Sequence, residues 1–329
     1  MTPSAVIQVK RGIGDVIWHL PFIRAIAAIS PGGKITFFAP PSSGAKELLA
    51  AEPSVAETIY FEHTGSEFRR GGNLIRLAML LRRRHLRTLW ILDRTRRPAL
   101  AALLAGIPER IGIGLGAQRL FITNPGIAKS HFHDMPIEAL TALMTAMKVP
   151  LPTLEPALRL PDETLAAVGK KFNQYRRPWI VLGVGASHPD KYWPDPHWAE
   201  FLAALRRVTD GTIFLIGGAE NLARAQHLIA HSVGAPAVNA CDLSLIEAAA
   251  LLHHADLFVG TDSGPMNLAV ATATEAFVLF GATTVLTYSK FIHPIVPEGG
   301  PSLSGMERIT PAEVLGRVKP YLSSRKELN

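Results

Sequence analysis

The sequence predicts an α/β protein made of two doubly wound domains that face a cleft. Three observations predict it. Short runs rich in β-branched and aromatic residues alternate with stretches of helical periodicity, the mark of parallel βαβ units. The alternation stops at a proline-punctuated break and then restarts. The length of 329 residues fits two domains better than one compact core.

Residues 5–9 read as a strand and Lys10 to Gly14 as a loop. In the helix that follows, Val16, Leu20, Ile23 and Ala27 keep helical spacing, and Pro21 is expected to bend it. Strands are predicted over 35–39, 58–61 and 89–92, with a helix over 74–86. Pro150, Pro152, Pro156 and Pro161 mark the break, which places the domain boundary between residues 158 and 159. The second half reads as strands over 179–183, 212–216, 257–259 and 276–280, with helices over 196–207, 220–229, 245–252 and 265–273. A last helical pattern, 311–322, can pack on either half.

At 48% hydrophobic and 19% charged residues, the chain can bury a core and is not disordered. A single cysteine, Cys241, excludes a disulfide scaffold and an all-cysteine zinc site, and fits a reducing compartment. The first residues lack the basic region of a secretion signal, and no apolar stretch approaches the ~18 residues that would span a bilayer. A cytoplasmic protein is expected, membrane-associated at most. The net charge of +7 is concentrated: between Gly65 and Leu120 twelve arginines face three acids, Glu67, Asp93 and Glu109. Such a field attracts a phosphorylated small molecule or lipid, an acidic membrane surface, or nucleic acid. No helix-turn-helix, zinc-finger or aromatic-interleaved pattern accompanies the arginines, so nucleic acid is not expected. A solvated helix face remains the plain alternative.

In doubly wound sheets ligands sit beyond the carboxyl ends of strands. Three loops there carry candidate chemistry. In Lys10-Arg11-Gly12-Ile13-Gly14-Asp15 the glycines permit a tight turn, and Asp15 either caps the helix or faces the cleft. The dinucleotide fingerprint fails because its third glycine position is Ile17, and after Gly183-Val184-Gly185 it is His188. A Gly-Lys-Ser/Thr phosphate loop is absent too, since Gly33-Lys34 is followed by Ile35. In the second loop, Gly185 to Pro194, Ser187 and Lys191 suit a phosphate and Trp193 offers an aromatic wall; alternatively Lys191 pairs with Asp190 or Asp195. The third, Thr261-Asp262-Ser263-Gly264-Pro265-Met266-Asn267, gathers small and polar residues at a helix N-terminus, where a diphosphate fits. His131, His133 and Asp134 are read as a hydrogen-bonded loop rather than a metal site.

Together the Gly14-Asp15 loop with Pro21 and Arg24, the stretch from Gly185-Ala186-Ser187 to Lys191-Tyr192-Trp193-Pro194, the turn Gly217-Gly218-Ala219-Glu220 and Thr261 to Met266 resemble glycosyltransferase family 9, the heptosyltransferases of the lipopolysaccharide inner core. The resemblance runs over nearly the whole chain. It implies a GT-B fold of two Rossmann-like domains, with an acceptor-binding domain over 1–158 and a nucleotide-sugar-binding domain over 159–329. It also implies an inverting, metal-independent transfer from a nucleotide sugar, typically ADP-heptose, with no cofactor. The lack of an Asp-x-Asp triplet agrees. By the same resemblance Asp15 is the general base and Lys191 neutralises the departing diphosphate, helped by the helix start at Ser263 and Gly264. Gly14, Ser187, Glu220, Asp262, Pro265, Met266 and Asn267 complete the donor set, with Glu220 on ribose hydroxyls. Arg94, Arg96 and Arg97 meet an anionic lipid-linked saccharide acceptor at the inner face of the cytoplasmic membrane. One position departs: Asn267 stands where many members carry His, and keeps a donor but no charge. The alternatives are a non-catalytic sugar-nucleotide-binding or assembly protein of the same fold, and a transferase of another sugar to a surface polysaccharide or protein.

Overall fold

The computed structural model describes residues 3–62, 72–186, 188–231 and 237–326. The chain divides into two compact units, Met1–Arg159 and Leu160–Asn329. In the first, strands β1 (Ser4–Ile7), β2 (Ile35–Ala39), β3 (Val55–Tyr60), β4 (Thr88–Ile91) and β5 (Glu109–Gly112) form one sheet in the order β3-β2-β1-β4-β5. Every pairing is parallel. A parallel sheet is covered on both faces, and β1 and β4 are buried at all four positions, apolar except for Ser4 and Thr88. Helices α1 (Ile13–Ala28), α2 (Ala45–Leu48), α3 (Gly72–Arg82), α4 (Arg96–Leu104) and α5 (Pro136–Ala146) complete the unit. α1 is apolar nearly all round, and Pro21 lies inside what is a single helical element. Ile7, Phe38, Leu77, Leu81, Leu89 and Ala102 belong to one core cluster joining the sheet to α3 and α4.

The second unit runs α6 (Asp162–Phe172), β6 (Trp179–Gly183), α7 (Asp195–Arg206), β7 (Thr212–Ile216), α8 (Leu222–His231), β8 (Ala237–Asn239), α9 (Leu245–His254), β9 (Leu257–Thr261), α10 (Gly264–Ala271), β10 (Ala276–Leu279), β11 (Ile292–Ile295), α11 (Gly305–Arg308) and α12 (Pro311–Lys326). Its sheet is again all parallel, in the order β11-β10-β9-β6-β7-β8. α9 begins with a capping box, in which Ser244 accepts from the Glu247 amide and Glu247 from the Ser244 amide. The core holds an edge-to-face pair, Trp193 on Trp198 with centroids 4.8 Å apart. Val314, Val318 and Leu322 of α12 enter this same core, so the last helix packs within the C-terminal unit. Three short edge strands (β5, β8, β11) and five helices (α2, α4, α5, α6, α11) were not predicted by periodicity.

The sheet orders fix where ligands can go. Strand order reverses between β1 and β4 in the first unit and between β6 and β9 in the second. At such a switch point adjacent connections leave to opposite faces and open a crevice at the carboxyl edge.

Candidate functional site

Each unit carries candidate chemistry at its own switch point. In the first, the loop after β1 delivers Asp15 into the opening turn of α1. Gly12 is the N-cap and no side chain caps the helix, so Asp15 is not the cap. Its carboxylate faces Lys10 Nζ at 3.3 Å, both side chains remaining partly exposed. The helix N-terminus adds its own partial positive charge beside this carboxylate. A Cβ on Gly12 would stand 2.9 Å from Asp15 Oδ2; glycine leaves the space the carboxylate occupies. Gly14 sits in the helix's first turn.

Across the switch point, beyond β4, lies Asp93, a residue the motifs did not single out. It is buried, and its carboxylate accepts from Val9 N–H (3.2 Å) and Thr95 N–H (2.7 Å), tying the β1 loop to the β4 loop. Burial pushes its pKa up to about 6, with the Asp15 charge adding to the rise, while the two main-chain donors and Lys10 oppose it. Its sequence signal was its place: an acid directly after the four-residue apolar run Leu89 to Leu92. Beneath the loop, His19 donates from Nδ1 to Gln8 Oε1 (2.6 Å), and Gln8 Nε2 donates to Lys10 O (3.3 Å). Burial, and the Lys10 charge after it, hold His19 down to about 3, so it is neutral.

The arginines divide by what they touch. Arg94 directs its guanidinium at three main-chain carbonyls, Phe132 (2.5 Å), Asp134 (2.8 Å) and His131 (3.2 Å), and so pins the 131–134 turn. Within that turn His131 Nδ1 and Asp134 Oδ2 are 2.5 Å apart. Arg96 and Arg97 occupy the first turn of α4, not a loop. Arg110 likewise holds carbonyls of Ile107 and Phe121, whereas Arg84 and Arg87 pair with Glu57 and Glu109. Arg69, Arg70 and Glu67 lie outside the described residues.

The second unit's switch point brings together loops 71 residues apart in sequence. Lys191, in a short 3-10 turn, contacts Asp262 Oδ2 at 2.7 Å and donates to Asp262 O at 3.2 Å. Its partner is therefore Asp262, and neither Asp190 nor Asp195; those two pair with His188 and Arg224. Asp262 follows β9 directly, and the next residues open α10 with Ser263 as N-cap and Pro265 in the first turn. The N-cap residue Ser263 makes no side-chain cap hydrogen bond, so among the described residues the first N–H groups of this helix keep their anion-binding capacity. Thr261 Oγ1 donates to Gly185 O (3.3 Å), joining the two loops, and Ser263 Oγ donates to Thr261 O (3.2 Å). Asn267 is buried and donates from Nδ2 to Ser263 O (2.7 Å), bracing the first turn. Met266 is fully buried, so in this arrangement it seats the loop from beneath. Ser187 lies outside the described residues.

Trp193 does not form an aromatic wall. It is fully buried and donates from Nε1 to Ile309 O (2.8 Å). Tyr192 takes the outer position instead, with the Arg224 guanidinium 4.5 Å from its ring centroid. Arg224, which the sequence reading did not select, also donates to Asp195 (2.5 and 2.7 Å), Trp193 O (2.9 Å) and Val184 O, and so sets the path of the whole 184–195 loop. Glu220 is exposed in the turn after β7. Close approach explains Gly185: a Cβ there would lie 2.3 Å from Oδ1 of buried Asn221.

Two doubly wound, all-parallel units with small and charged residues gathered at each switch point define a two-domain α/β enzyme architecture of the GT-B type. The family model for glycosyltransferase family 9 (heptosyltransferase) matches residues 80–296, and the chain belongs to that family. It is a glycosyltransferase. The fold is similar to that of Escherichia coli ADP-heptose lipopolysaccharide heptosyltransferase II, at 24% identity and TM-score 0.78 over 99% of this chain and 100% of that one. A family 9 glycosyltransferase from Veillonella parvula aligns at 17% identity and TM-score 0.79 over 98% and 97% of the two chains. E. coli heptosyltransferase WaaC, solved with ADP-2-deoxy-2-fluoro heptose, aligns at 18% and 0.72 over 97% and 99%. No curated protein sequence matches the chain.

Proposed function

We propose that this glycosyltransferase moves a heptose or closely related sugar from a nucleotide-sugar donor of the ADP-heptose kind to a hydroxyl of an anionic, lipid-linked saccharide, with inversion. The observation that carries the reading is the chemical division between the two switch points: a carboxylate at the start of α1, and a lysine beside an uncapped helix N-terminus at α10. The solved WaaC complexes, which hold ADP or an ADP-heptose analogue, support the donor class.

Asp15 takes the acceptor hydroxyl's proton as the oxygen attacks the anomeric carbon from the face opposite the leaving group. A carboxylate between Lys10 and the helix start is suited to this, because both neighbours hold it in place for the incoming hydroxyl. Lys191 exchanges its contact with Asp262 for the diphosphate and neutralises the charge that develops on it, together with the N–H groups opening α10. Asp262, released, is placed to hold a sugar hydroxyl. Glu220 contacts the ribose, and Arg96 and Arg97 meet acceptor phosphates or carboxylates. Gly14, Ser263, Gly264 and Pro265 supply shape and main-chain donors, while Asn267 and Met266 act through the loop they hold.

Asp15→Asn is expected to abolish transfer while the rise in melting temperature given by ADP or ADP-heptose persists; retained turnover rejects the base assignment. A panel with UDP, GDP and CMP tests the donor, since a ligand at ~100 times its Kd adds ~2.7 kcal/mol. Stabilisation by one of these and not by ADP rejects an ADP-linked sugar.

A further inference from the structure

Helices α3 and α4 pack against each other on one face of the five-stranded sheet. Neither contains an acidic residue: their sequences are GNLIRLAMLLR and RRPALAALL. On α3, Leu77, Ala78 and Leu81 are buried. On the opposite side, at i and i+4, Ile75 and Met79 are 58% and 49% exposed, with Arg82 and Arg83 exposed around them and exposed Arg76 3.8 Å from the carboxylate of Glu62. α4 begins with exposed Arg96 and ends with Leu103 and Leu104, 43% and 53% exposed. A water-facing helix pair ordinarily turns out mixed charges and keeps large aliphatics in; this pair turns out four large aliphatics, and its own charges are all positive, with one acid, Glu62, reaching Arg76 from outside the helices.

We propose that the α3–α4 face docks on an anionic lipid bilayer, its aliphatic side chains entering the headgroup layer and its arginines meeting lipid phosphates. Aliphatic residues flanked by arginine on an acid-free helix surface match that boundary, where the arginine stem lies along apolar material and its head reaches phosphate. A nucleic acid would match the charge but leave the aliphatics unused, and the face offers it no aromatic stacking platform. α4 starts three residues after Asp93, so Arg96 lies at the carboxyl edge of β4, while Leu103, Leu104, Arg82 and Arg83, which come just before β5 and β4, extend the face along the helices toward the amino edge of the sheet. The proposal does not depend on the donor or acceptor assigned above, because binding is read with neither present.

The test is co-sedimentation of the full chain with phosphatidylcholine vesicles, with and without about 30% phosphatidylglycerol. Binding to the anionic vesicles alone, lost at high salt, is expected. At roughly one decade in affinity for each 1.4 kcal/mol, Arg82→Gln/Arg83→Gln should weaken it about 30-fold. Ile75→Ser/Met79→Ser should weaken it at least tenfold, and Arg317→Gln/Lys319→Gln on α12 should leave it unchanged. All six positions are exposed, and melting curves confirm that the variants fold. No sedimentation with anionic vesicles at low salt, equal binding to pure phosphatidylcholine, undiminished binding of both α3 variants, or equal loss in the α12 variant overturns the proposal.

Discussion

Asp93 provides the sharpest test of the electrostatics at the first switch point. An ordinary aspartate titrates near 3.8, and burial raises this one to about 6. Because the folded value lies above the unfolded one, the native state holds the proton more tightly. The resulting stability is fully present below pH 3.8 and is lost as pH rises through 6. At 1.36 kcal/mol per pH unit, the loss is about 3 kcal/mol. Asp93→Asn removes the titration and resembles the protonated carboxyl, with one acceptor kept and one main-chain N–H opposed by a donor. The stability of wild type relative to Asp93→Asn should therefore fall by about 2–3 kcal/mol between pH 4 and pH 8, while other titrating groups, His19 included, cancel. Urea unfolding followed by pulsed hydrogen exchange at the β1 and β4 amides reads the N-terminal unit by itself. In an Asp15→Asn background the inflection should move to lower pH, since a like charge has gone. A wild-type-to-variant difference that is the same at pH 4 and pH 8 would falsify the argument that burial controls this carboxyl.

His19 should behave in the opposite sense: held neutral at about 3, it contributes stability that is lost as pH falls below 6.5, and His19→Gln should flatten that acid limb of the unfolding curve. Among the described residues Trp198 Nε1 is buried with no partner, so Trp198→Phe should change stability by less than about 1 kcal/mol, whereas Trp193→Phe, which orphans the Ile309 carbonyl, should cost ~1–3 kcal/mol in thermal unfolding. Gly185→Ala should lower the melting temperature, and a second change, Asn221→Ala, should recover part of the loss; strictly additive losses would contradict the 2.3 Å approach. Lys191→Met should lower kcat far more than it weakens ADP binding, and unchanged kcat would remove it from the leaving-group role.

What the residues disclosed, and what they withheld, follows from the range of the interactions involved. β1, β6 and β9 are buried apolar runs closed by glycine-containing loops, so the strands and the loops after them are legible locally. β5 opens with Glu109-Arg110, β8 has three residues, and β11 contains Pro294, which an edge position tolerates and a strand pattern conceals. Of the neighbours Tyr192 and Trp193, either could have turned inward; the choice depends on Ile309 O, 116 residues away, and on Arg224. Asp93 looked like one acid among arginines because its burial comes from the pairing of β4 with β1. The arginine excess was plain, yet whether an arginine binds a carbonyl, pairs with an acid or faces water is a property of the fold.

The strand order of the first sheet also bears on how the chain comes to be folded. β1 is made first but is hydrogen-bonded on both sides only when β4 arrives, about 80 residues later. At ~5–20 residues per second of synthesis, one edge of the strand that leads to Asp15 stays open for roughly 4 to 16 seconds. β6 waits likewise for β9. The two central strands, beside which the chemistry-bearing loops are hung, are thus the ones left longest exposed to wrong pairing. The nascent chain spends that interval with its most apolar segments unsheltered, the period in which a chaperone would hold it.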